Sequence, residues 1–199
     1  MKERLYLYTR FERFWHWTQA LLIIFLLLTG FEMHGTISIW GYEKAYIWHV
    51  YAGFALIVLT AFGIFWHFTT GAWQHYVPVK EKISQIIHYY TRGIFYGEPH
   101  PFEKRPDQKL NPLQRVAYLF LKVILFPLQL LTAFLLLFYE WWPHLGINLN
   151  LQQVALYHTA GAFAFLFFLI VHVYLSTTGK PWYSHLKGMF LGWEEIEKN

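Results

Sequence analysis

Residues 154–177 read VALYHTAGAFAFLFFLIVHVYLST, an apolar run with the length a helix needs to cross a bilayer. Two histidines, His158 and His172, stand near its ends. Fourteen residues at 100° each come to about 1400°, some 40° short of four turns, so both imidazoles fall on one helix face. A rise of 1.5 Å per residue sets them about 21 Å apart along the axis. An ionisable side chain inside a span is costly and marks function by default. Two of them on one face, at opposite depths, point to two stacked cofactors with one histidine at each level. Two interfacial histidines bonded to neighbours would be the plainer account.

The rest of the chain shares the apolar character. Of 199 residues, 56% are hydrophobic and only 14% charged, which excludes an ordinary soluble domain. Apolar stretches place four spans at about 14–33, 46–69, 113–139 and 154–177, the third carrying Pro127, which is expected to kink it. The basic start runs into the first span without a small-residue cleavage site, so that span is expected to stay. We therefore read an all-α integral membrane protein, a bundle of four transmembrane helices forming a single domain over 1–199. The N-terminal stretch, the loop as far as Arg115 and the tail hold fourteen of the 16 Lys and Arg, against one, Lys44, in the two short loops. By the positive-inside rule both termini are cytoplasmic. The same placement explains the basic pI of about 9.2 without nucleic acid. In the cytoplasmic loop 70–112, apolar residues recur at helical spacing over 79–97, which reads as an amphipathic helix at the interface with membrane lipid. The tail from residue 179 is polar and aromatic and is expected to lie along the membrane surface. With no cysteine, the chain has no disulfide, no thioether-attached haem and no iron–sulfur cluster on its own thiolates.

Placing the remaining span histidines by depth gives two levels: His49 with His158 on the outer side, His16 with His172 on the inner side. Each level pairs a fourth-span histidine with one from another helix. That is the requirement of two bis-histidine b-type haems, whose irons take one axial ligand on each porphyrin face. Gly30 lies fourteen residues after His16 and Gly63 fourteen after His49, so each single-ligand helix has a glycine at the other level. Gly53 and Gly161 flank the outer level. A helix without a side chain admits a flat macrocycle to its backbone. Small residues are also common at any membrane helix contact, but the repeated offset favours the macrocycle. His67, eighteen residues after His49, faces the inner level as well and could replace His16 or His172, bond a propionate or line a quinone pocket.

The first span, RFWHWTQALLIIFLLLTG from Arg13 to Gly30, together with the four-span histidine pattern, resembles the cytochrome b subunits of nickel–iron hydrogenases, formate dehydrogenases and thiosulfate reductases. The R-x-x-H-W start and the T-G end carry the likeness, which covers roughly residues 10–177. It implies that His16 and His172 ligate a cytoplasmic-side haem b, and His49 and His158 an outer one. It implies electron transfer between a quinone pool (menaquinone or ubiquinone) and a periplasmic partner, an iron–sulfur or multihaem cytochrome c subunit, in a bacterial or archaeal inner membrane. Asn111 and Gln114, in N-P-L-Q, stand where the formate dehydrogenase branch has an Asn and a Gln at its quinone site; they also read as an ordinary helix start. Thr18 and Leu22 depart from the hydrogenase members. Arg10, Arg13 and Lys122 could pair haem propionates, or simply snorkel to the interface. The rival from another class is a cofactor-free membrane anchor or a small transporter with the histidines as a proton relay. A metal-ion transporter would need carboxylates at midplane, where the spans carry none.

Overall fold

The computed structural model describes residues 2–102, 105, 108–179 and 181–197. Four helices are long and apolar enough to cross a membrane: Arg10–Met33, Tyr42–Thr70, Pro112–Leu137 and Leu151–Ser176. The chain is a mostly helical membrane protein, and its sheet is a single two-stranded ribbon among the described residues. It divides into two compact units, residues 1–74 with 176–199, and residues 75–175.

In the first unit, helix α1 (Arg10–Met33) begins at a capping box. The Thr9 hydroxyl accepts from the Glu12 amide at 3.2 Å, and the Glu12 carboxylate accepts from the Thr9 amide at 2.7 Å. This satisfies two amides that a helix start otherwise leaves unpaired. Helix α2 (Tyr42–Thr70) returns antiparallel to α1: Phe25 meets Trp48 at one end of the pair and Phe11 stacks on Trp66 at the other. The turn between them is held by Glu32, whose buried carboxylate accepts from the amides of Ile39, Trp40 and Gly41 at 2.9, 2.5 and 2.5 Å.

The same unit contains an element that the sequence reading did not foresee. Strand β1 (Lys2–Tyr6) pairs antiparallel with β2 (Trp193–Glu197), joining the two ends of the chain. Tyr6 packs on Trp193 with ring centroids 5.0 Å apart, and Leu7, whose amide donates to the Gly192 carbonyl, is fully buried. Gly192 links β2 to helix α7 (Ser184–Leu191) with φ +87°. A Cβ there would lie 2.7 Å from both the Tyr6 ring and the Tyr8 carbonyl, so conformation and space both require glycine. Helix α7 is tied to α1 by Trp17 Nε1, which donates to the Met189 carbonyl at 3.3 Å and stacks on Phe190, and by Arg13, which donates to the Phe190 carbonyl. The guanidinium thus sits at the negative end of a helix, the favourable end for a cation.

In the second unit the helix read over 79–97 is shorter. Helix α3 spans Ile83–Thr91 and a 3-10 turn covers Gly93–Tyr96. Lys82 adopts a left-handed φ of +61°, which stops propagation toward residue 79. At the other end the Glu98 carboxylate fills the space where a Cβ on Gly93 would be. The buried face of α3 is Ile86 and Tyr89.

The third span is built from α4 (Pro112–Phe120), a π-helical turn at Leu121–Leu125 and α5 (Phe126–Leu137). In the π turn the Phe126 amide reaches back five residues to the Leu121 carbonyl. Pro127 lacks an amide hydrogen and its ring would clash with the carbonyl four residues earlier; the wider turn just before it relieves the conflict. The span therefore accommodates its proline by a π turn as well as by any bend. Helix α6 (Leu151–Ser176) packs antiparallel to this composite helix, with Tyr118 against Phe168 and Gln129 against Gly161.

Candidate functional site

Each unit holds two histidine levels, and each level is fixed by contacts within that unit. In the first, α1 residues Thr29 and Gly30 meet His49 of α2. Fourteen residues earlier on α1, Trp15 meets Gly63 and His67. In the second, Gln129 and Thr132 of α5 meet His158, and Tyr118 of α4 meets His172. The fourteen-residue spacing read from the sequence therefore appears as two contact levels in both helix pairs, about 21 Å apart by helical rise.

The hydrogen bonds assign the imidazole tautomers. Thr29 is fully buried. Its hydroxyl lies 2.8 Å from the Phe25 carbonyl and 3.2 Å from that of Leu26. A carbonyl only accepts, and the shortest contact, to Phe25, is the one to which the hydroxyl proton is assigned. The Thr29 oxygen also lies 3.0 Å from His49 Nδ1. With its proton committed, that oxygen can only accept, so His49 carries its hydrogen on Nδ1 and the Nε2 lone pair is left. Thr132 repeats the arrangement. Its hydroxyl donates to the Leu128 or Gln129 carbonyl at 2.9 and 3.0 Å, and its oxygen accepts from His158 Nδ1 at 3.1 Å. The Gln129 amide nitrogen, 3.3 Å from His158 Nε2, donates into the lone pair this tautomer leaves there.

His67 reaches the same tautomer within its own helix. Its Nδ1 donates to the Gly63 carbonyl at 2.6 Å, and the ring is buried against Trp15 and Trp66. His172 Nδ1 lies 3.2 Å from the Tyr118 hydroxyl, and the imidazole stacks nearly parallel on Phe168. His16 sits edge-on to Trp17 with its Nδ1 buried.

The glycines differ in what faces them. A Cβ on Gly30 would stand 3.6 Å from the His49 ring, an ordinary contact, and nothing lies within 4 Å at Gly53. At Gly161 the space holds the Gln129 amide, and at Gly63 it holds the Trp15 indole, whose Nε1 would be 2.6 Å from an added Cβ. Here Gly63 makes room for a tryptophan of the neighbouring helix.

Asn111 and Gln114 form a reciprocal cap on α4. Asn111 Oδ1 accepts from the Gln114 amide at 2.8 Å, and Gln114 Oε1 accepts from the Asn111 amide at 3.0 Å. Asn111 Nδ2 donates to the Tyr90 hydroxyl at 3.4 Å. Burial, with the neighbouring Tyr89, pushes the Tyr90 phenol above its usual range despite that bond, so it stays a neutral hydroxyl at physiological pH. The side-chain oxygens of this pair are engaged in the cap; the amide N–H groups are what it can offer a ligand. Arg115, buried, donates to the carbonyls of Leu110 at 3.1 Å and Val77 at 3.2 Å and so ties the loop to the helix start. Lys122 lies over the Tyr76 ring, 3.3 Å from its centroid.

Thr29, Thr132, Gln129, Tyr118 and Trp15 are the site residues that the sequence reading did not single out. Their one signal was polarity, or a large indole, within an apolar span. Of the remaining histidines, His185 is bonded to the buried Glu194 at 2.5 Å and His100 lies 3.2 Å from the Tyr90 hydroxyl. Among the described residues no three of His, Cys, Asp or Glu converge as they would around a bare metal ion. The donors suit a haem instead: imidazoles held at Nδ1 by Thr29 and Thr132, with Nε2 as the atom that would ligate, and Gly53 with nothing within 4 Å of an added Cβ.

Comparison with known proteins agrees with this chemistry. The model of the prokaryotic cytochrome b561 family matches residues 7–192. A curated relative from Escherichia coli (strain K12), described as "Putative cytochrome YdhU", is 34% identical over 202 residues, covering 96% of this chain and 75% of the relative. No solved structure matches. Four membrane-length helices, the histidine chemistry and a match over nearly the whole length lead to one assignment: the chain belongs to the prokaryotic cytochrome b561 family, the cytochrome b family of nickel–iron hydrogenases.

Proposed function

We propose that this membrane haem b electron-transfer protein carries two b haems and passes electrons between a quinone near the cytoplasmic face and an oxidoreductase partner on the outer face. Haem supplies reversible one-electron chemistry; the chain supplies ligands, orientation and separation from water. His49 and His158 would hold the outer haem, His16 and His172 the inner one, with both termini in the cytoplasm of a bacterial or archaeal cell and the complex in its inner membrane. The observation that carries the proposal is the pinned tautomer of His49 and His158. In each, a buried threonine accepts the Nδ1 hydrogen, so Nε2 would be the ligating atom, and at His158 iron would take the place of the Gln129 amide at Nε2. A proton relay would gain nothing from locking the ring in one tautomer.

The Asn111–Gln114 cap favours the inner level for quinone exchange. It offers N–H donors, with the neutral Tyr90 hydroxyl beside it, for a quinone oxygen that cannot be buried unpaired. The partner, an iron–sulfur or multihaem cytochrome c subunit, would dock on the outer loops, where Trp40 and Trp48 pack edge to face.

The test is haem stoichiometry by pyridine haemochrome on the purified chain, expected near two b haems per chain. His49→Ala or His158→Ala should remove one haem and leave the other; His16→Ala or His172→Ala should remove the other. One haem or none in the intact protein overturns the proposal. Loss of the inner haem in His67→Ala with retention in His16→Ala would make His67 the ligand.

A further inference from the structure

We infer that Thr29 and Thr132 are a matched pair of positioning residues that set the tautomer, ring plane and basicity of the two outer haem ligands. The inference rests on the ligation proposed above and adds to it two residues on different helices, found independently of each other. Both are buried, Thr29 fully and Thr132 with 4% of its surface exposed. Both commit the hydroxyl proton to a carbonyl of their own helix and turn the remaining oxygen lone pair to an imidazole Nδ1, at 3.0 and 3.1 Å.

The consequences follow from the donor count. A neutral imidazole has one N–H and one lone pair, so holding the hydrogen on Nδ1 makes Nε2 the atom that would ligate iron, at His158 in place of the Gln129 amide. The Nδ1–H···O bond also restrains rotation of each imidazole, so the protein would set the ring plane that the ligand offers to a haem. It adds electron density to the ligand as well: a hydrogen-bonded imidazole is a stronger base and favours ferric over ferrous iron. Of the inner candidates, His172 is buttressed by a phenol, His67 by a backbone carbonyl, and His16 lies edge-on to Trp17. The two threonines are therefore specific to one level, and replacing either should change one haem and spare the other.

Thr29→Val and Thr132→Val keep the shape and remove the acceptor. Thr29→Ser and Thr132→Ser keep the acceptor and its back-bond. The variants are purified with haem, and three quantities are read: haem content, the midpoint potential of each haem by spectroscopic redox titration, and the ferric low-spin g-values. We expect each Val variant to shift one haem upward in potential. A tenfold loss in the preference for ferric iron corresponds to about 59 mV for a one-electron couple. The g-values of that same haem should move and haem affinity should fall about 10–100-fold. The Ser variants should restore both. Val variants with unchanged potentials and g-values for both haems, at full haem content, would overturn the inference. A role confined to packing would lower stability or haem content in the Ser variants too, without a selective shift. His49→Ala and His158→Ala run in parallel keep the levels apart: if they retain both haems, the ligation proposal has failed rather than the role of the threonines.

Discussion

Gly63 distinguishes two accounts of a glycine at a histidine level, one in which it would admit a macrocycle and one in which it admits Trp15. In Gly63→Ala the new Cβ would stand 2.6 Å from Trp15 Nε1, 3.0 Å from Cε2 and 3.4 Å from Cδ1. Carbon contacts settle near 3.5–4.0 Å, so the indole has to retreat by about 1 Å. It has little freedom to do so. The ring abuts His67, centroid to centroid 5.4 Å, and the start of α1 is held to α7 through Arg13 and Trp17. Overpacking of this kind costs about 1–3 kcal/mol. Alanine returns about 0.5–1 kcal/mol through its better helix propensity. The net expectation is a destabilisation of up to about 2.5 kcal/mol.

In a Trp15→Ala background the clash is absent, and Gly63→Ala should become neutral or favourable by about 0.5–1 kcal/mol. The coupling between the two positions is then the overpacking term, about 1–3 kcal/mol, above the 0.3–0.5 kcal/mol within which independent sites add. The assay is a double-mutant cycle on reversible unfolding in mixed micelles, followed by helical circular dichroism, with haem content measured on each variant. A coupling below about 0.5 kcal/mol refutes the indole account. If haem content also falls in Gly63→Ala while stability does not change, the glycine serves the macrocycle.

Three further outcomes follow from the geometry. Arg115→Met removes two charge-assisted bonds to loop carbonyls, worth about 1.5–3 kcal/mol each before any rehydration; limited proteolysis within residues 77–110 should speed up while haem content holds. Asn111→Asp preserves the helix cap and removes the amide donor, so it should keep helicity and haem content but slow haem reduction by a menaquinol analogue about tenfold, read by stopped flow, with dithionite reduction unchanged. Glu32→Ala takes the common acceptor from three amides of the α1–α2 turn, and Glu32→Gln returns one; protease cleavage at 35–41 should rise in the first and largely recover in the second.

The features legible in the sequence are those that one helix determines alone. A run of apolar residues implies a span regardless of its neighbours, and fourteen residues between histidines imply two levels on any straight helix. The ribbon of β1 with β2 was hidden because KERLY and WEEIE are short, charged and at opposite ends of the chain; each acquires a strand's hydrogen bonds only from the other. The threonines were hidden for a related reason. A threonine in a span satisfies its own hydroxyl on the carbonyl one turn back, so nothing in α1 or α5 marks it as more than a tolerated polar residue. Its spare lone pair becomes meaningful only when another helix brings an imidazole to it.

That asymmetry suggests a physical reason for threonine at these two places. A buried residue that must accept from Nδ1–H has to bring no unpaired donor of its own into the membrane. A glutamine or asparagine brings two N–H groups that need acceptors, and a carboxylate brings a charge. A back-bonded hydroxyl brings nothing unsatisfied and leaves an acceptor directed off the helix. His67 meets the same demand by accepting no help, bonding the carbonyl of Gly63 one turn earlier in its own helix. For that reason His67 can hold its tautomer whether or not α1 is in place, while His49 and His158 depend on the packing of their helix pairs. Slackening the α1–α2 contact at its other end, through Phe25→Ala, should therefore disturb the orientation of His49 while His67 stays bonded to the Gly63 carbonyl.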